Sequence, residues 1–90
     1  MGWKVEVSEK ARSELRKIDP RDARRITDYL QALTELEDPR IRGKALKGDL
    51  GDYWRYRVGN YRVICDLKQD VLTILVLRTA HRRKVYKHPL

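Results

Sequence analysis

The order of patterns along this 90-residue chain predicts an α+β fold, β-α-α-β-β-β, with a helical hairpin packed on a small, mainly antiparallel sheet. Three observations predict it. Short runs of alternating apolar and charged residues stand at the start and in the second half. Two amphipathic helical stripes fill the space between them. A Gly-Asn pair divides two of the later runs like a hairpin turn. At this length the chain is expected to be one domain, residues 1–90, with a single modest core.

Trp3, Val5 and Val7 alternate with Lys4 and Glu6, a short strand with one apolar face. Ser8 follows as a helix N-cap, and Glu9 suits the positive end of the helix dipole. Ala11, Leu15 and Ile18 recur at i, i+4 and i+7 as one narrow stripe. Asp19-Pro20 ends that helix and starts the next, with Asp19 as N-cap and Pro20 at the first helical position. Ala23, Ile26, Leu30, Leu33 and Leu36 form its buried stripe, and Asp38-Pro39 stops it. So short a connection predicts an antiparallel pair on one side of the sheet.

Residues 39–52 read as a basic loop containing Arg40, Arg42, Lys44 and Lys47, tied to the core by Leu46 and Leu50. In the next run Trp54, Tyr56 and Val58 alternate with Arg55 and Arg57. Gly59-Asn60 then suits a II′-like turn, because the first position needs φ > 0. This turn sets the register: Val58 faces Tyr61, Arg57 faces Arg62, Tyr56 faces Val63 and Trp54 faces Cys65. Arg55, Arg57 and Arg62 therefore share one face. Like charges directly opposite, with Cβ atoms about 5 Å apart, destabilise a hairpin. A cluster kept at that cost is expected to hold an anion. The second strand runs on to Leu67, and Lys68-Gln69-Asp70 turns the chain. Residues 71–77 are apolar on both faces, which predicts a central, buried strand. The tail from Arg78 is basic, with Tyr86 its one aromatic.

Composition narrows the function classes. The net charge is +8, and it is unevenly placed. Residues 1–38 carry eight Lys/Arg against nine Asp/Glu, a net of −1; residues 39–90 carry thirteen against four, a net of +9. That asymmetry points to a polyanionic partner, either nucleic acid or an acidic protein. Cys65 is the only cysteine, so no internal disulfide can form and no cysteine-based metal site is expected. Its place opposite Trp54 reads as a small core residue. No apolar run can span a membrane and residues 1–4 lack a signal-peptide pattern, so a cytoplasmic protein is expected.

Two blocks, Leu46-Lys47-Gly48 with Trp54 through Ile64, and Leu75 through Arg78 with His81-Arg82-Arg83-Lys84-Val85-Tyr86, resemble toxins of the RelE/ParE superfamily. The ending with Tyr86 is nearer to the RelE branch. That resemblance implies a RelE-like fold and a ribosome-dependent endoribonuclease that cuts mRNA in the ribosomal A site without metal or cofactor. It also implies a cognate antitoxin, expected to be acidic and partly helical. The ParE branch implies inhibition of DNA gyrase instead. Carried over by position, the resemblance implies functional roles for Arg57, Arg62, Arg82 and Tyr86, with Arg55 at a strand position where relatives carry Lys or Arg; Arg83 can stand in for Arg82. Lys44 and Lys47 read as contacts to the phosphate backbone.

RNA cleavage by the adjacent 2′-hydroxyl needs a base, cations at the phosphate and an acid for the 5′-oxygen. Arginine suits the second role through its bidentate fork and permanent charge. It cannot be the base, and neither Arg55 nor Arg57 replaces a lysine there. Lys47, His81 and Tyr86 are the candidates, with His81 the side-chain type that titrates nearest neutrality.

Overall fold

The computed structural model describes residues 2–46 and 53–83. Five strands and two helices follow in the order β1 (Lys4–Val7), α1 (Glu9–Arg16), α2 (Pro20–Leu33), a 3-10 turn (Pro39–Arg42), β2 (Lys44–Ala45), β3 (Tyr53–Val58), β4 (Tyr61–Lys68), a second 3-10 turn (Gln69–Val71) and β5 (Thr73–His81). The sheet order is β1-β5-β4-β3-β2. All pairings are antiparallel except β1 with β5. The α+β class and the strand-helix-helix-strand order agree with the sequence reading.

The helix starts follow the expected chemistry. Ser8 Oγ accepts from the Ala11 N–H at 3.1 Å, and Asp19 Oδ1 accepts from the Arg21 N–H at 2.8 Å. Ala11 of α1 and Ile26, Leu30 and Leu33 of α2 are buried against Tyr56, Val58, Val63, Cys65, Leu67, Ile74 and Val76 of the sheet. Tyr56 is completely buried, and its hydroxyl donates to the Pro39 carbonyl at 2.9 Å. That bond compensates the desolvation of a phenol inside an apolar core.

The structure corrects four expectations. The second helix ends at Leu33, so Leu36 reaches the core from the following turn rather than as part of the helical stripe. Ile18 likewise packs on the core from beyond the end of α1. The stretch expected as a loop from residue 39 holds a 3-10 turn and the two-residue strand β2, too short for any periodicity to announce. Finally, β4 and not β5 lies in the middle of the sheet; Val71 and Leu72 are exposed in the turn before β5. A parallel β1 added beyond β5 keeps β5 from being an edge strand over Thr73–Val76.

Beyond Val76 that protection stops, and side chains replace it. The Ser8 N–H donates to the Val76 carbonyl at 2.9 Å and Ser8 Oγ to the Leu77 carbonyl at 3.1 Å. Glu14 of α1 accepts from the Thr79 N–H at 2.7 Å and from Arg78 Nε at 3.0 Å. These contacts join residues more than sixty positions apart and secure the strand end that carries the basic tail.

Candidate nucleic-acid interface

The hairpin has the register that the sequence dictated. Val58 pairs with Tyr61, Arg57 with Arg62, Tyr56 with Val63, Arg55 with Ile64 and Trp54 with Cys65. Gly59 has φ +58° and Asn60 is not in the positive-φ region, as a II′-like turn requires. A Cβ on Gly59 would stand 3.1 Å from Arg25 Nη1, so the guanidinium of α2 lies directly against the turn. Cys65 and Tyr56 point to the helix side, where burial pushes both the thiol and the phenol well above their ordinary pKa.

The opposite face collects cations. Lys44 of β2 pairs with Arg55 of β3, and Arg57 pairs with Arg62 of β4. A cleft of about 240 Å³ is lined by Arg42, Lys44, Arg55 and Arg57, with no carboxylate among the described residues of its wall. Arg62, the register partner of Arg57, has a buried Nε with no hydrogen-bond partner among the described residues. Ile64, 2% exposed, fills this face between its register partners Arg55 and Arg78. The result is a concave cationic surface over an apolar floor.

A β-bulge decides which tail residues join it. Cys65 pairs with Val76, but Ile64 pairs with Arg78, leaving Leu77 as the extra residue of β5. From there on the faces of β5 are exchanged. Without the bulge, strict alternation from Ile74 and Val76 would turn Ala80 toward the helices and His81 toward the arginines. With it, Ala80 pairs with Arg62 on the arginine side, and His81 pairs with Tyr61 on the helix side. The His81 and Tyr61 rings meet edge-to-face at 5.4 Å. They line a separate pocket of about 220 Å³ with Glu14, Lys17, Ile18 and the Arg78–Ala80 segment of β5.

His81, one of three candidate bases with Lys47 and Tyr86, is therefore not brought to Arg57 and Arg62. Its Nδ1 accepts the Arg83 N–H at 3.2 Å. Arg82 does approach the hairpin: its N–H donates to the Asn60 carbonyl at 2.7 Å, two residues beyond the partner of Arg62. Arg83 is exposed. Lys47 and Tyr86 lie outside the described residues. Among the described residues, no three His, Cys, Asp or Glu side chains converge on a metal-sized site, and no helix is long and apolar enough to cross a membrane.

Sequence reasoning did not assign Arg42 to the site. Continuing the β2–β3 register two residues back from Lys44 would place Arg42 opposite Arg57, but β2 is too short to reveal that register in advance. Arg42 also lies close enough to Tyr29 to oppose the effect of burial, which pushes that phenol up.

Comparison with known proteins agrees with this architecture. Over 87 residues the chain is 28% identical to toxin RelG of Mycobacterium tuberculosis, covering 97% of this chain and 99% of that one. It is 35% identical over 63 residues to toxin RelE3 of Methanocaldococcus jannaschii, covering 70% and 68%. The toxin-antitoxin complex RelBE2 of M. tuberculosis contains a chain that superposes with a TM-score of 0.80 at 26% identity, covering 91% of this chain and all of that one. Residues 5–86 match the family described as the ParE toxin of the type II toxin-antitoxin system, parDE. With its RelE-type relatives and RelE-like fold, the chain belongs to the RelE/ParE superfamily of type II toxins, on the RelE branch.

Proposed function

We propose that this toxin is a ribosome-dependent, metal-independent endoribonuclease that cleaves mRNA in the ribosomal A site and so stops translation. The observation that carries the reading is the Arg57–Arg62 pair, set across the hairpin beside a cleft whose described lining residues are all cations. Two arginines at directly opposite strand positions repel each other unless an anion lies between them, and a phosphodiester matches their bidentate donors.

In the reaction the 2′-oxygen attacks the adjacent phosphorus as its proton leaves for a base. A P–O bond forms to give a 2′,3′-cyclic phosphate. The bond to the 5′-oxygen breaks, and that oxygen takes a proton from an acid. Arg57, Arg62 and Arg82 neutralise the charge that develops on the phosphoryl oxygens. Arg55, Lys44 and Arg83 bind the flanking backbone. With His81 on the far side of the sheet, the proton transfers fall to Tyr86 and Lys47, both assigned from the sequence alone. Among the described residues no group holds the attacking oxygen in line, so on this reading the ribosome supplies that geometry and the free protein is a poor nuclease. The site of action is the cytoplasm.

The partner is an acidic, partly helical antitoxin whose carboxylates cover the Arg55/Arg57/Arg62 face. Support comes from the relative of known structure, which is a toxin-antitoxin complex. The test is to add purified protein to translating ribosomes and map mRNA 5′ ends. Codon-registered cuts with wild type, lowered at least a hundredfold by Arg62→Ala, are expected; losing one preorganised charge donor costs about 10²–10³ in rate. Wild-type protein that leaves mRNA intact, or Arg62→Ala that cuts as well as wild type, removes the assignment.

A second reading is a ParE-like inhibitor of DNA gyrase. It is favoured by the turning of His81 away from the arginines and by arginine rather than lysine at positions 55 and 57. Inhibition of supercoiling without mRNA cuts selects it.

A further inference from the structure

We propose that the cleft between the 3-10 turn Pro39–Arg42 and β3 is a second phosphate subsite, and that Arg42 is a binding residue within it. The inference rests on the nucleic-acid reading above and deepens it by extending the contact beyond a single phosphate. The cations form two rungs across the sheet. One contains Arg57 and Arg62, the other Lys44 and Arg55. The rungs are two strand residues apart, about 7 Å. That is a spacing between two successive anionic groups of an extended polymer, not between the oxygens of one phosphate. Arg42 lines the same cleft as Lys44, Arg55 and Arg57.

Three features hold Arg42 there. Tyr56, fully buried, donates its hydroxyl to the Pro39 carbonyl at 2.9 Å and so pins the turn to the core. Gly43 lies against the same ring: a Cβ at position 43 would be 2.9 Å from Tyr56 Cε1 and 3.2 Å from the Arg55 carbonyl. Glycine is thus what lets the turn approach β3 closely enough for Arg42 to share a cleft with Arg55 and Arg57. Asp38 caps the turn through the Arg40 N–H at 3.0 Å and takes the Arg40 side chain at 2.9 Å. The Asp38 carboxylate is therefore engaged by Arg40. Arg42, Lys44, Arg55 and Arg57 have no ion-pair partner among the described residues. Four uncompensated cations around about 240 Å³ raise the local concentration of any polyanion.

The experiment measures binding of a fluorescein-labelled 12-nucleotide oligoadenylate by anisotropy from 50 to 300 mM KCl. Each phosphate contact on a single strand contributes about 0.7 to the slope of log K against log salt. Arg42→Ala is expected to lower that slope by about 0.7 and to weaken binding about fivefold at 100 mM. Arg12→Ala, the same charge change on the exposed face of α1, should leave the slope where it was. An unchanged slope for Arg42→Ala, or an equal drop for both variants, overturns the subsite. Arg42 is exposed, so the substitution leaves the core intact. Ribosomal cleavage mapped in parallel separates the two ideas. Wild-type cutting with an unaltered Arg42→Ala slope refutes the subsite alone; a changed slope without any cutting supports the subsite and refutes the nuclease.

Discussion

Glu14 is the side chain on which the end of β5 depends. Its carboxylate accepts from the Thr79 N–H at 2.7 Å and from Arg78 Nε at 3.0 Å, where β1 no longer covers the strand. Hydrogen bonds to a charged group contribute about 1.5–3 kcal/mol each. The Glu14 and Arg78 side chains keep 23% and 18% of their exposure, and water can reach a strand edge, so the pair is discounted for screening. Glu14→Ala is then expected to cost about 2 kcal/mol in all. For a domain of this size each kcal/mol shifts the melting temperature by about 4–8 °C, so a fall of about 8–16 °C should follow. Glu14→Gln keeps an acceptor for the Thr79 N–H and should lose about half as much. Urea titration gives the free energies, and amide exchange at Thr79 reads the local effect. A double-mutant cycle with Arg78→Ala should return a coupling of about 0.5–1 kcal/mol. A loss under about 0.5 kcal/mol with no faster exchange at Thr79 would refute the role given to Glu14.

Two further outcomes follow from the packing. Gly59→Ala forces an L-residue into φ +58° and should destabilise the hairpin by about 1–2 kcal/mol, read as a lower urea midpoint with an unchanged m-value. The Arg25 guanidinium at 3.1 Å can swing aside, so the backbone sets the cost. Alkaline pH should also destabilise the fold. Burial raises the folded pKa of Cys65 and Tyr56, so the neutral groups stabilise the native state fully below their unfolded values, near 9 for the thiol and 10 for the phenol. As pH rises above these values the unfolded chain releases protons that the native state retains, and stability falls by about 1.4 kcal/mol per pH unit per group. Cys65→Ala should remove the part of the slope that begins near pH 9; an identical slope in the variant would contradict it.

Much of this protein could be read from local pattern. Alternation of Trp54, Tyr56 and Val58 with Arg55 and Arg57, joined to a Gly-Asn turn, determined the hairpin register residue by residue, because a two-residue turn leaves no slack and a slip would bury arginine. The helix starts were legible because Ser8, Asp19 and Pro20 act on neighbours within one turn. The face shared by Arg55, Arg57 and Arg62 followed from the same period of two.

What the tertiary structure decided are the relations between distant segments. Parallel pairing of β1 outside β5 joins residues about seventy apart, and no local signal specifies it. Arg42 joined the cleft through Tyr56 and Gly43, which hold a turn against a strand. The bulge at Leu77 matters most for the proposed chemistry. One additional residue in β5 exchanged the two faces of the strand, sending His81 to Tyr61 and bringing Ala80 beside Arg62. Strand period is a local property, but a bulge depends on how the neighbouring strand, Ser8 and Glu14 take up the backbone groups of Val76, Leu77 and Thr79. The sequence thus determined which cations could share one face, and the packing of three distant segments determined which of them line one cleft.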